Sequence, residues 1–126
     1  MPAKFREKLG VPFLVTKGVG KCLFVFSQEE WELFADKLKN APVTDLAAQS
    51  FVRMLFTNAC ECEPDKQGRI LIPQILRDYI ETEKELVIIG VGRRAEIWSQ
   101  KGWDEYNAET YKDYEETLAK LAELGI

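Results

Sequence analysis

The stretch Leu14-Val15-Thr16-Lys17-Gly18-Val19-Gly20-Lys21-Cys22-Leu23-Phe24-Val25-Phe26-Ser27 returns later as Leu86-Val87-Ile88-Ile89-Gly90-Val91-Gly92-Arg93-Arg94-Ala95-Glu96-Ile97-Trp98-Ser99. In this register Leu14 falls on Leu86, Gly18 on Gly90, Gly20 on Gly92, Phe26 on Trp98 and Ser27 on Ser99. The match continues to Trp31 on Trp103. Each copy is an apolar run, a glycine-bearing loop and a second apolar run, the pattern of a β-hairpin. Dropping one residue from the register brings Pro2 onto Pro73 and Arg6 onto Arg77. Residues 2–38 and 73–108 are therefore two versions of one unit, and an internal repeat constrains the fold more than any single element.

Each hairpin runs into a helix. Ser27-Gln28-Glu29-Glu30 is a capping box, with the Ser oxygen offered to an orphan amide and Glu30 placed to reach back. Trp31, Phe34, Ala35 and Leu38 form the apolar stripe that follows. Ser99 is the matching cap, with Gly102 where the glutamate would stand. The two tryptophans sit at equivalent first turns, which points to packing within each half. Between the copies, Pro42-Val43-Thr44-Asp45 opens another helix whose apolar face is Ala47, Phe51, Met54 and Leu55. At the C-terminus Tyr111, Tyr114, Leu118 and Leu121 form a short coiled-coil-like seam, expected to pack on a neighbour.

These readings predict an α+β fold of duplicated β-hairpin/helix halves sharing one core, plus a C-terminal helix. The division expected is 1–40 for the first half, 41–58 for a connecting helix, 59–108 for the second half and 109–126 for the C-terminal helix. At 126 residues neither half is large enough to bury a core alone.

Composition narrows the class of function. Apolar content of 46% and charged content of 30% are those of a globular protein. No apolar run approaches the ~20 residues of a membrane span, and no export signal is visible. Cys22, Cys60 and Cys62 are an odd set without a signal peptide, so a reduced, cytoplasmic protein is expected. Cys60 and Cys62 share one side of a strand, but without histidine or a second cysteine pair no metal site is expected. The net charge of −4 resides in residues 101–126, where Asp104, Glu105, Glu109, Asp113, Glu115, Glu116 and Glu123 outweigh Lys101, Lys112 and Lys120. The body is thus neutral, and a neutral body can present a basic patch to nucleic acid. Arg93 and Arg94 are either part of such a patch or solvated turn residues.

The second copy is preceded by Asp65-Lys66-Gln67-Gly68-Arg69 within residues 60–72. Residues 61–63 and 69–72 read as strand ends facing each other across a tight turn. Asp65 in first position can accept from the amide two residues on, and Gly68 in fourth position can take a positive φ. Arg69 leaves the turn at a strand start, and Pro73 opens a helix over 74–80.

The run Asp-x-x-Gly-Arg-Ile-x-Ile-Pro-x-x-x-Arg, from Asp65 to Arg77, resembles the swapped-hairpin DNA-binding module of the AbrB superfamily. With the duplication, Gly90-Val91-Gly92 and Glu96-Ile97-Trp98-Ser99, the chain resembles the MraZ family of bacterial transcriptional regulators over nearly its whole length. The resemblance implies two AbrB-like halves assembled into a homo-oligomeric ring that binds double-stranded DNA at short promoter repeats of the division and cell-wall gene cluster. It implies a nucleoid-associated protein with no cofactor, no membrane contact and no small-molecule substrate. Carried over by position, Lys66 and Arg69 are the candidate DNA contacts, while Asp65 and Gly68 shape the loop. Arg suits bidentate contact with a guanine edge or phosphate, and Lys supplies a point charge. The competing reading for Arg69 is a turn fastener paired with Asp65 or Glu63.

One departure from the family carries an expectation. Where the second copy has residues 60–72, the first has only Met1, so the chain offers one loop, and the first half is expected to lack a strand and to leave an open edge. Weak DNA binding in isolation follows.

Three other classes compete with this reading. Gly90-Val91-Gly92-Arg93-Arg94-Ala95 fits a dinucleotide fingerprint, but that motif needs a helix where Ala95-Glu96-Ile97-Trp98 reads as a strand. With no histidine and no apolar pocket of carboxylates, no catalytic residue is proposed and the chain is not read as an enzyme. An oligomeric scaffold is the main alternative, distinguished by a flat response to salt. An antitoxin-like AbrB relative is less suited, because the C-terminal segment reads as helical.

Overall fold

The computed structural model describes residues 3–81 and 85–125. Among these lie five strands and six helices: α1 (Ala3–Leu9), β1 (Phe13–Lys17), β2 (Cys22–Ser27), α2 (Gln28–Lys39), α3 (Leu46–Asn58), β3 (Cys60–Cys62), α4 (Gln74–Tyr79), β4 (Leu86–Val91), β5 (Arg94–Ser99), α5 (Gln100–Lys112) and α6 (Tyr114–Glu123). The strands form one antiparallel sheet in the order β3-β1-β2-β5-β4. The α+β class and the two hairpins are as the sequence predicts.

The duplication is written into the central ladder. β2 and β5 pair with Cys22 opposite Trp98, Leu23 opposite Ile97, Phe24 opposite Glu96 and Val25 opposite Ala95. Phe24 and Glu96 are themselves equivalent in the repeat, so a pseudo-twofold axis passes between them. Around it the aromatic packing occurs twice. Phe26 lies 5.7 Å from Trp31 and 5.0 Å from Phe34, and Trp98 lies 5.5 Å from Trp103 and 4.9 Å from Tyr106. Both caps form: Ser27 Oγ accepts from the Glu30 amide at 3.1 Å, and Ser99 Oγ from the Gly102 amide at 3.0 Å.

The repeat register needs one correction. Phe13 faces Ser27, whereas Leu86 faces Ser99, so in the ladder β4 is displaced by one residue from the sequence match. Gly90 stands opposite Ala95, the place that Lys17 holds opposite Leu23, and Gly18 corresponds to Val91. The cause is the second turn, shorter by one residue: two residues lie between Val91 and Arg94 against three between the corresponding Gly18 and Cys22. Gly20 and Gly92 do correspond, both with positive φ. Pro2, matched to Pro73 in the sequence, lies outside the described residues.

The shared core consists of two layers, one on each face of the sheet. One holds Phe13, Val15, Leu23, Val25, Leu76, Ile80 and Ile97 under α1 and α4. The other holds Cys22, Phe24, Phe26, Leu55 and Trp98 under α2, α3 and α5. Both draw on both halves, because alternate residues of each strand face opposite ways. Phe51 and Leu55 anchor α3, whereas Met54 is exposed. Thr16 Oγ1 donates to the Leu55 carbonyl at 2.7 Å and fastens α3 to β1.

The open edge is not where the sequence places it. β3, which leads the second half, pairs with β1 of the first, so the first hairpin has an outer neighbour. β4 of the second half has none among the described residues. The expected C-terminal helix is also different. α5 runs through position 108 to Lys112, and Asp113 (φ −109°, ψ 22°) separates it from α6. No described helix is long and apolar enough to cross a membrane.

Candidate nucleic-acid interface

The Asp65–Arg69 loop is built around one carboxylate. Asp65 Oδ1 accepts from the Gln67 amide at 2.8 Å and from the Arg69 amide at 2.9 Å. Oδ2 accepts from Arg69 Nε at 3.0 Å. The backbone closes the loop twice, Gly68 N donating to Asp65 O at 2.9 Å and Asp65 N to Arg69 O at 2.7 Å. The Arg69 amide, with the Gln67 amide and the Arg69 guanidinium behind it, holds the Asp65 carboxyl below the ordinary carboxylate range. Gly68 is buried at φ 79°, a conformation that costs a residue with a Cβ.

The flanking segments seat the loop. On one side Cys62 is buried in the core layer under α1 and α4, with Cys60 packed against it. On the other, Ile72 is buried and Ile70 packs beside it, while Leu71 points to solvent. The expected strand over 69–72 is absent: that segment joins no ladder, and β3 pairs with β1 instead. Pro73 caps α4 and does not begin it, and Ile80 lies just past its end.

The two candidate contact residues face outward. Lys66 is exposed and has no ion-pair partner among the described residues. The Arg69 side chain is 72% exposed despite its pairing with Asp65. Nε is the atom that meets Asp65, and neither terminal nitrogen of the guanidinium has a hydrogen-bond partner among the described residues. Fastening the turn and presenting a donor pair are thus compatible in one side chain, since a guanidinium carries five N–H donors. Arg93 is exposed at the β4–β5 turn. Arg94 is half-buried, held by Glu96 at 2.9 Å and stacked 4.3 Å over the Phe24 ring.

Sequence reasoning missed two residues of the helix that follows the loop. Tyr79, in the last turn of α4, donates its hydroxyl to the carbonyls of Gly18 (3.0 Å) and Gly20 (2.7 Å), and Lys17 lies over its ring. The helix that follows the loop is thereby tied to the first hairpin turn. Arg77 is exposed on α4, its Nη2 donating to Gln74 Oε1 at 2.8 Å. Its place in the motif quoted above was the available signal; nothing in the sequence pairs Tyr79 with a turn sixty residues away.

Other chemistry finds little to work with among the described residues. No group of three or more His, Cys, Asp or Glu residues converges on a point. Burial drives the thiols of Cys22 and Cys62 up to about 12, with Glu96 adding to the first and Cys60 to the second. Near neutral pH both stay protonated, unlike a metal-binding thiolate. Gly90 and Gly92 lie in and just beyond β4 and lead into β5, so no helix begins there to hold a pyrophosphate.

A family model described as MraZ protein, antitoxin-like, matches the chain twice, over residues 1–54 and 55–123. A protein of Alkaliphilus oremlandii named Transcriptional regulator MraZ is 52% identical over 126 residues, all of this chain and 88% of that protein. Proteins of the same name from Carboxydothermus hydrogenoformans and Clostridium tetani are 50% and 48% identical, over 98% and 100% of this chain and 86% and 88% of their own lengths.

Proposed function

The chain belongs to the MraZ family, and on that premise we propose that it is a DNA-binding transcriptional regulator that reads promoter DNA through the Asp65–Arg69 loop. In this reading Lys66 meets a phosphate and Arg69 meets a base edge or phosphate with its terminal nitrogens. Asp65 and Gly68 hold the loop in shape. Copies of the chain associate into a ring that lines up several loops against repeated promoter elements of the division and cell-wall gene cluster. The working location is the cytoplasm, on the nucleoid. The domain division proposed is the one drawn from the sequence, 1–40, 41–58, 59–108 and 109–126, with the last boundary inside α5.

The observation that carries the proposal is the loop's economy of donors. One carboxylate satisfies two amides and one guanidinium nitrogen, and the remaining cationic groups of Lys66 and Arg69 stay at the surface. The names of the relatives supply the class of target. Arg69→Ala is expected to weaken binding to a promoter fragment by about tenfold or more, since a bidentate base contact contributes roughly 1–3 kcal/mol. Lys66→Ala is expected to weaken all sequences alike and to lower the salt slope by about one. Fluorescence anisotropy across a salt series measures both. Unchanged affinity in the double variant rejects the loop as the contact.

The exposed apolar stripe of α6, which suits protein contacts, favours a second reading as an oligomeric scaffold. Steep loss of DNA affinity with salt supports the regulator, and a flat response supports the scaffold.

A further inference from the structure

The pseudo-twofold axis relates two clefts at opposite ends of the sheet, each between the end of a short helix, a hairpin turn and a serine-capped helix start. One is lined by Ile80, Lys21 and Ser99, and the other by Leu9, Arg93 and Ser27 in the equivalent places. The repeat also matches Glu81, in the first cleft, to Gly10. The backbone agrees, since Glu81 and Gly10 both take a positive φ, 53° and 70°.

The clefts differ in charge. In the first, Glu81 holds Lys21 at 3.0 Å, and Glu85, Asp104 and Glu105 outweigh the remaining cation, Lys101. In the second, of about 520 Å³, Lys8, Arg93 and Arg94 are accompanied by a single lining carboxylate, Glu30. Gly10 supplies no acid where Glu81 does. The helix position that sends the Tyr79 hydroxyl to the turn carbonyls of Gly18 and Gly20 carries an exposed lysine, Lys8, in the other half. Arg94 is engaged by Glu96 and the Phe24 ring. Lys8 and Arg93 are exposed and have no ion-pair partner among the described residues. Unpaired cations lining a cleft concentrate anions there.

Position identifies the anion. The ladders bring Cys62, Phe13, Ser27, Arg94 and Val91 to one end of the sheet. The Asp65–Arg69 loop follows β3 at that end, and the cationic cleft opens beside the β4–β5 turn at the same end. Three to four strand spacings separate them, about 14–19 Å. Phosphates recur every ~3.4 Å along a DNA strand, so this span is about four to six nucleotides. The acidic cleft lies at the end away from the loop, beside Lys21 and Ser99.

We infer that Lys8 and Arg93 form a second, sequence-independent DNA contact, which takes backbone phosphates next to the stretch read by the loop. This deepens the DNA-binding reading above and rests on it. Arg93, ambiguous in the sequence, thereby gains a role, while Arg94 keeps a structural one.

The test uses the full chain, with fluorescence anisotropy across a salt series on a promoter fragment and on an unrelated duplex of equal length. Lys8→Gln with Arg93→Gln should weaken binding to both duplexes alike, by about tenfold or more near physiological salt, and lower the salt slope by about two. The preference for the promoter fragment should stay unchanged, in contrast to Arg69→Ala. Lys21→Gln with Lys101→Gln removes the same charge from the opposite cleft and should change affinity by less than about twofold. Wild-type DNA binding with a steep salt slope that survives the Lys8/Arg93 variant overturns this inference and leaves the loop reading standing. Equal losses in the Lys21/Lys101 variant overturn it too, because net charge alone would then account for the effect. A wild type without salt-dependent DNA binding removes the regulator reading and this inference with it.

Discussion

β1 and β4 are the same strand of the same hairpin, used twice, yet their surroundings have made them different materials. β1 lies between β2 and β3 with α3 across one face, and four of its five residues are buried. β4 lies at the sheet margin, and none of its residues is fully buried. The exposed run is the more apolar of the two, Leu-Val-Ile-Ile-Gly-Val in β4 against Phe-Leu-Val-Thr-Lys in β1. What decides is how many neighbours the chain supplies, so burial here follows from topology more than from the strand's own hydrophobicity.

The largest contrast is expected at Phe13 and Leu86, which both face a capping serine across their ladders. Phe13→Ala removes a fully buried ring and should cost about 3–5 kcal/mol. Leu86, 42% exposed, should cost under about 1.5 kcal/mol. Urea unfolding of both variants checks this, and equal losses would mean that β4 is covered in solution. Next come the glycines that the sequence match equates and the ladder separates. A Cβ at Gly18 would stand 2.6 Å from the Phe24 ring and 2.8 Å from Cys22 Sγ, so Gly18→Ala should cost about 1–3 kcal/mol. Gly90→Ala meets only Phe5 at 3.6 Å and should be near neutral by the same measurement. The caps sharpen the comparison from the other side: Ser27→Ala and Ser99→Ala should each cost about 1 kcal/mol and match closely, since their geometry is the same.

The smallest effect concerns Asp65, which has no described counterpart in the first half. Its carboxyl titrates below the ordinary value when the loop is folded, so its contribution to loop order is complete above that ordinary value. That contribution fades as pH falls through the depressed one. The amide signals of Gln67 and Arg69 should therefore hold steady through neutral and mildly acidic pH and move only in stronger acid. Movement at or above the ordinary carboxylate range would contradict the hydrogen bonding described.

Much of this was legible in the residues. The repeat located both hairpins, both serine caps and the paired tryptophans, because turn chemistry and capping are local and carry their own signatures. Tyr106 as the partner of Phe34 was equally available, since the interval is the one that separates Ser27 from Ser99. The crossing of β3 to β1 was not legible: a three-residue strand carries no mark of which hairpin it joins. Nor was the one-residue slip of β4, which depends on how each turn closes. The break at Asp113 was not legible either, because the seam from Tyr111 to Leu121 keeps its helical spacing across it. The loop's hydrogen bonds followed from Asp and Gly at their turn positions, whereas the Tyr79 tie is tertiary and had no local sign.

The axis through Phe24 and Glu96 carries a further consequence. In an assembly of two identical chains, whatever occupies an axial site must confront its own twin, and a buried carboxylate there would face another carboxylate at close range. Joining the copies in one polypeptide frees the twins to diverge. One has become an aromatic platform and the other an acid, with Arg94 spanning both. Covalent linkage here does more than hold two modules together: it permits a pairing that mirror-matched partners could not contain.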